Sequence, residues 1–221
     1  MSHAPDWNRI DTVLCDMDGT LLDLHYDNFF WMEEVPRTWG AERGLDLEAA
    51  RAALFPVFDR NRGSLNWYCL DFWTRTLAMD LRSMKRQHAE RIAYLPGIEA
   101  VLLRLRAQGK ALVLVTNAHP DTLALKHEHT GLLGHFDAAH STHSFGAPKE
   151  QPQFWARFAT ETGIDLDRSL LVDDTLSVLE GAAAGGVGHL LAVLQPSTKH
   201  PAREPGSAFP EVHTLADLVL P

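Results

Sequence analysis

Thr12-Val-Leu-Cys-Asp-Met-Asp-Gly-Thr20 is a short, largely apolar run that passes directly into two acids and a glycine. Such a run, closed by a turn residue, reads as a buried strand that stops at a loop, and the loop starts with a carboxylate, Asp16. Three more segments behave alike. Lys110 to Val115 (KALVLV) stops at Thr116-Asn117, Ser169 to Val172 stops at Asp173-Asp174, and His189 to Leu194 is a fourth strand. Helical stripes lie between them. Ile98, Val101, Leu102 and Leu105 recur at i, i+3, i+4 and i+7 before Gly109, and Leu176, Leu179, Ala182 and Ala183 repeat the stripe before Gly185-Gly186. Alternating strands and helices predict an α/β fold with a parallel sheet covered on both faces. Such sheets bind ligands at the carboxyl ends of their strands, which is where the polar residues collect here.

Residues 24–91 have a different character. They hold 11 of the 19 aromatic residues, among them Trp31, Trp39, Trp67 and Trp73, and the pattern is helical with no long β-branched run. Their 10 acids balance 10 bases, so the whole net charge of −9 belongs to the remainder. This segment reads as a helical subdomain inserted between the first strand and the first crossover helix. The expected organisation is a core from 1–23 and 92–221, with 24–91 inserted. Residues 195–210 are rich in Pro, Gly and Ser and read as a loop.

The chain has 221 residues, 45% of them hydrophobic and 22% charged, as in ordinary globular proteins, and it is long enough to bury a sizeable core. The acidic balance argues against nucleic-acid binding, which needs a basic face. It leaves room for a small anion, because a metal ion and one lysine can reverse a local field. No apolar run approaches the ~20 residues that span a bilayer, so no membrane partner is expected. Met1 to Trp7 has no basic and apolar leader pattern, and the expected location is the cytoplasm. Cys15 and Cys69 form no metal or redox motif. The twelve histidines include no HExxH, and His127 and His129, two apart, would lie on different faces of a helix, so no histidine metal site is expected. Nothing in the pattern fixes an oligomeric state.

The chemistry is carried by four small groups. Asp16, at a strand end, can act as a nucleophile toward phosphorus. Asp18, two residues on, can protonate a leaving alkoxide and then activate water. Gly19 permits the sharp turn. The bland alternative is a polar turn with solvated acids. Thr116 offers a hydroxyl and Asn117 an amide to a phosphate oxygen, or else they cap the next helix. Lys149 precedes an apolar helix (Phe154, Trp155, Phe158), where the helix dipole disfavours a cation. It points to a bound anion, unless it is a solvated surface lysine. Asp173 and Asp174 repel each other unless a cation lies near, and Mg2+ with its oxygen ligands suits such a pair. The alternative is an N-cap on Asp174.

Taken together, Asp-x-Asp, Thr, Lys and Asp-Asp occur in the order and settings of the four motifs of the haloacid-dehalogenase-like (HAD) superfamily. The chain resembles that superfamily over its whole length. The resemblance implies a Rossmann-like parallel sheet, with 24–91 as a helical C1 cap. Asp16 to Leu24, Leu65-Asn-Trp-Tyr-Cys-Leu-Asp71, Thr116-Asn-Ala-His119 and Ser141-Thr-His-Ser-Phe-Gly146 resemble, more narrowly, the bacterial GMP/IMP nucleotidases within it. By that resemblance Asp16 is the nucleophile and a magnesium ligand. Asp18 is the acid/base and binds the metal through its carbonyl, Asp174 is the third protein ligand with Asp173 close behind, and Thr116 and Lys149 hold the phosphoryl oxygens. One position departs from a common family form: four residues after Asp174, where many members carry an acid, this chain has Val178.

The implied activity is a magnesium-dependent phosphatase, a 5'-nucleotidase on purine nucleoside monophosphates. A dehalogenase is disfavoured by Asp18, since dehalogenases of the family lack that acid and need no metal. A β-phosphoglucomutase or sugar phosphatase shares the motifs and a C1 cap. A non-catalytic phosphate-binding module would tolerate the loss of a motif, and none is lost. In the insert, Asn66, Arg62 and Trp67 are the expected substrate contacts, with Asn28, Arg60, Phe29 and Trp31 as further candidates. Most of the aromatics are expected to form a bundle core. His119 and His143 are expected beside the site in structural roles.

Overall fold

The computed structural model describes residues 5–220. Residues 1–4 and 221 lie outside the described residues, and with them part of the Met1 to Trp7 segment and the ends of the expected core.

Six strands form one parallel sheet: β1 (Thr12–Cys15), β2 (Ala111–Thr116), β3 (Ala138–Ser141), β4 (Ser169–Asp173), β5 (His189–Val193) and β6 (Glu211–Val212), in the order β3-β2-β1-β4-β5-β6. Four are the expected ones. β3 (Ala-Ala-His-Ser) and β6 escape an apolar-run criterion because one is built of alanine and histidine and the other is a two-residue edge.

Alternation along the central strands sends side chains to opposite faces. Val13 and Cys15 join Leu112 and Leu114 in a core with Ile98, Val101, Leu102 and Leu105, while Leu14, Val113 and Val115 join Phe154, Trp155 and Phe158 on the other side. Both faces are thus covered, as the near-continuous apolar strands require.

Between β1 and β2 the chain is helical: α1 (His25–Phe29), a π-helical segment (Phe30–Glu34), α2 (Val35–Ala41), α3 (Leu47–Asp59), α4 (Leu65–Tyr68), α5 (Leu70–Leu77), α6 (Leu81–Gln87) and α7 (Ile98–Ala107). Phe30, Val35, Leu54, Phe58, Leu70, Trp73, Leu77 and Leu81 form a third core of their own, so the helical insertion has its own packed centre. The later helices are α8 (Pro120–Thr130), α9 (Pro152–Thr162) and α10 (Leu176–Ala184), and residues 195–210 carry no regular element.

Candidate active site

β1, β2 and β4 are neighbours in the sheet, so their carboxyl ends bring Asp16, Thr116 and Asp173 side by side. Asp16 continues the ladder through its N–H to the Val172 carbonyl (3.0 Å), and the chain then turns at Gly19, whose φ is +88°. A side chain there would be strained and would also collide, since a Cβ on Gly19 would stand 2.8 Å from Cγ of Asp174. The glycine therefore lets the first acidic loop close on the last.

Lys149 arrives from the loop between β3 and α9. It is fully buried and not a surface lysine. Asn117 Oδ1 accepts its N–H at 2.9 Å, and its carbonyl accepts the Trp155 indole N–H at 2.8 Å. Nζ lies 2.5 Å from Asp16 Oδ1 and 2.6 Å from Asp173 Oδ2. Burial works against the ammonium, but the two carboxylates outweigh it and raise its pKa. Burial pushes Asp16 up to about 6 against the pull of Lys149.

Asp16, Asp173 and Asp174 each bring a carboxylate oxygen within 4.8 Å of the others. Asp173 is bound by Lys149 and by the Thr175 N–H (2.9 Å). Asp174 has no salt-bridge partner among the described residues. Desolvation, then repulsion from Asp173 and Asp16, raises its pKa well above the ordinary value. It does not cap α10, whose N-cap is Thr175. Nor do Thr116 and Asn117 cap α8, whose N-cap is His119. Thr116 Oγ1 accepts the Ala118 N–H at 3.0 Å. The Asn117 side chain is engaged twice, on the Lys149 N–H and on Glu150 (3.0 Å), and so serves to place the lysine loop. Tyr68 of the insert donates to the other oxygen of Glu150 at 2.5 Å.

A cavity of about 640 Å³ opens above these groups. Its floor includes Asp16, Asp18, Thr116, Lys149 and Asp174, and its roof includes Trp31, Phe58, Trp67 and Trp73 from the insert. Arg62 also lines it, with its guanidinium 4.8 Å above the Trp67 ring and paired with Asp59. Of the other candidates, Asn28 and Trp31 line the cavity. Asn66 and Arg60 do not and are exposed, and Phe29 packs instead under Arg91 (3.9 Å). On the one-turn helix α4, consecutive residues point about 100° apart, so Trp67 and Tyr68 facing inward leave Asn66 outside.

Two groupings were not legible in the sequence. Lys126, buried on α8, pairs with Asp18 and Asp27, and Asp27 pairs with Lys85. Desolvation pushes Asp18 up to about 6 against the pull of Lys126. Cys69, His119 and His143 also approach within 4.8 Å of one another, although no motif spacing links them. His119 Nδ1 accepts the Asp121 N–H (3.2 Å) and its Nε2 lies 3.6 Å from Asp71.

The sequence profile of the haloacid dehalogenase-like hydrolases matches residues 10–186. GMP/IMP nucleotidase YrfG of Escherichia coli is 43% identical over 192 residues, covering 87% of this chain and 86% of that protein. Two solved structures share the fold. A HAD phosphatase from Thermococcus onnurineus has a TM-score of 0.79 at 23% identity, covering 95% of this chain and 96% of that one. The L-2-haloacid dehalogenase of Xanthobacter autotrophicus has a TM-score of 0.64 at 20% identity over the same shares. With strand-end acids, a buried lysine and a helical insertion in one sheet, the chain belongs to the haloacid dehalogenase-like hydrolases.

Proposed function

We propose that this chain is a magnesium-dependent phosphatase that forms an aspartyl-phosphate on Asp16 and acts as a 5'-nucleotidase on purine nucleoside monophosphates, GMP and IMP first. The observation that carries the reading is the convergence of Asp16, Lys149, Asp173 and Asp174 beneath an aromatic-roofed cavity.

The donor set fits Mg2+. All donors are oxygens, as a hard cation requires, and Asp174 is a half-buried carboxylate with no salt-bridge partner among the described residues. Asp16 and Asp174 would be its side-chain ligands and Asp18 would contribute its carbonyl. Asp173, already bound to Lys149 and the Thr175 N–H, stands behind them. When bound, the ion balances the negative charge of an incoming phosphate.

A carboxylate oxygen of Asp16 attacks phosphorus, forming the Asp16–phosphate bond as the bond to the nucleoside 5'-oxygen breaks. Asp18 gives its proton to that leaving oxygen. It then takes a proton from the water that attacks phosphorus, releasing phosphate and restoring Asp16. Lys149 and Thr116 hold the phosphoryl oxygens, and Asn117 keeps Lys149 in place.

Residues 24–91 are proposed as the cap domain on a core of 1–23 and 92–221, which the separate insert core supports. Trp67 supplies a face for the base, and Arg62 or Asn28 a donor for the 6-oxo group shared by guanine and hypoxanthine. Adenine presents an amino group there, so the donor would be left unpaired at a cost of ~1–3 kcal/mol, or roughly ten- to hundredfold. The proposed setting is the cytoplasm. Two free cysteines agree with it, and no described helix is long and apolar enough to cross a membrane.

The test is kcat/KM for GMP, IMP, AMP, UMP and β-glucose 1-phosphate under identical Mg2+. GMP and IMP should lead by about tenfold or more. A lead for UMP or the sugar phosphate would defeat the purine assignment, and a lead for the sugar phosphate would favour a sugar phosphatase.

A further inference from the structure

A row of four alternating charges runs from the acidic loop after β1 into the helical insert. Asp18 Oδ1 lies 2.5 Å from Lys126 Nζ, the same ammonium lies 2.5 Å from Asp27 Oδ2, and Asp27 Oδ1 lies 2.9 Å from Lys85 Nζ. The two lysine side chains are only 1% and 3% exposed. Lys126 belongs to α8 beside the sheet, Asp27 to α1 and Lys85 to α6. Lys85 is fixed in turn by the Tyr26 hydroxyl, which donates to its carbonyl at 2.9 Å, and by the Phe30 ring 4.4 Å from its ammonium.

A buried row of this kind is a poor device for stability alone. Well-packed apolar side chains of equal volume usually do as well or better, because ions must be stripped of water. What the row supplies is direction. Lys126 takes one oxygen of Asp18, and the other has no hydrogen-bond partner among the described residues. Asp18, Asp27 and Lys85 line the cavity and Lys126 does not, so the ammonium acts on Asp18 from behind.

We propose that Lys126 is a positioning residue for Asp18: it clamps Oδ1, leaves Oδ2 for the reacting oxygen, and is itself held by Asp27, so that Asp18 is aimed when the insert is seated on the core. The inference rests on the reading of Asp18 as the acid/base. It makes Asp27, at the start of the insert, the link through which the insert governs proton transfer.

The experiment uses the full chain with Mg2+ and compares Lys126→Met, Asp18→Asn and the double variant. Two substrates are used: the alkyl phosphate turned over fastest by the wild type, and p-nitrophenyl phosphate, whose leaving group needs little protonation. Lys126→Met should lower kcat on the alkyl phosphate about tenfold or more, with KM within about twofold, and in single-turnover measurements of the phosphorylation step the loss should be smaller with p-nitrophenyl phosphate. In the Asp18→Asn background it should add almost nothing, because the two act as one unit. Lys126→Arg, which keeps the charge and the donors, should recover most of the loss. Asp27→Asn loosens the same clamp without deleting the ammonium and should show the same pattern in milder form. It decides the matter if Lys126→Met does not fold.

Losses that multiply independently in the two backgrounds, or an unchanged kcat in a folded Lys126→Met, would overturn the inference. An Asp18→Asn enzyme with full activity on the alkyl phosphate would overturn the acid/base reading together with it.

Discussion

Replacing Lys149 by methionine removes the ammonium that is salt-bridged to two of three clustered carboxylates. Its side chain is 1% exposed and that of Asp173 is equally buried. Methionine fills a similar volume, so the change is chiefly electrostatic. Deleting one partner of a buried pair typically costs about 3–5 kcal/mol, because the other is left buried without compensation. An unfolding entropy of about 2.1 cal/mol/K per residue, over 221 residues, gives about 0.46 kcal/mol/K. The expected loss of Tm is therefore about 6–11 °C.

The assay is thermal denaturation of metal-free protein in EDTA at pH 8, above the value of about 6 to which burial brings Asp16. The pH dependence has a definite sign. A carboxyl whose folded pKa lies above its unfolded value favours folding below the unfolded pKa and loses that contribution as pH rises through the folded one. The deficit of Lys149→Met should accordingly shrink toward pH 5, and Mg2+ should shrink it at pH 8. Asp174→Asn should do the opposite and raise the Tm of the metal-free protein at pH 8, since it removes a carboxyl whose ionised form is penalised by desolvation and by two neighbouring acids. A Lys149→Met protein melting within about 2 °C of wild type in EDTA at pH 8, or an Asp174→Asn protein melting lower, would refute this account of the charge cluster.

Mg2+ affinity should depend on pH with the same origin. Below about 6 the ion must displace the proton that burial keeps on Asp16, and it must also displace the proton favoured on Asp174, so calorimetric affinity should fall by at least about tenfold per pH unit from 6 to 5. A flat affinity across that range would show that Asp16 is not a ligand. Trp67→Ala should raise KM for GMP by about tenfold, as stacking on a base contributes ~1–3 kcal/mol, Arg62→Ala should do the same through a lost hydrogen bond to the base, and both should change p-nitrophenyl phosphate turnover much less. Equal effects on both substrates would place the base elsewhere.

The parts of the site legible in the sequence are those in which a polar residue touches the end of an apolar run. Asp16, Thr116 and Asp173 stand at such ends, and their meeting follows from the order of parallel strands. Asn117 shows the limit: its identity suggested a phosphate contact, while its side chain is spent on holding the lysine loop. Lys126 left no trace, because a lysine on a helix looks solvated until its partners, 108 and 99 residues away, are brought to it. The Cys69, His119 and His143 grouping was hidden for the same reason, its members lying on three separate segments. In the insert, aromatic composition predicted a bundle core and Phe30, Phe58 and Trp73 form one, but the direction of each ring was set by helix packing that no spacing reveals.

The central claim is a phosphoryl group carried on Asp16, taken from a purine nucleotide. It is tested most directly by mixing the enzyme and Mg2+ with 32P-labelled GMP, quenching in acid within one turnover, and mapping the labelled peptide. The account predicts acid-stable, base-labile label on Asp16, absent in Asp16→Asn and absent with EDTA. Turnover of GMP with label on another residue, or with none on Asp16 at any time within the turnover, would contradict it.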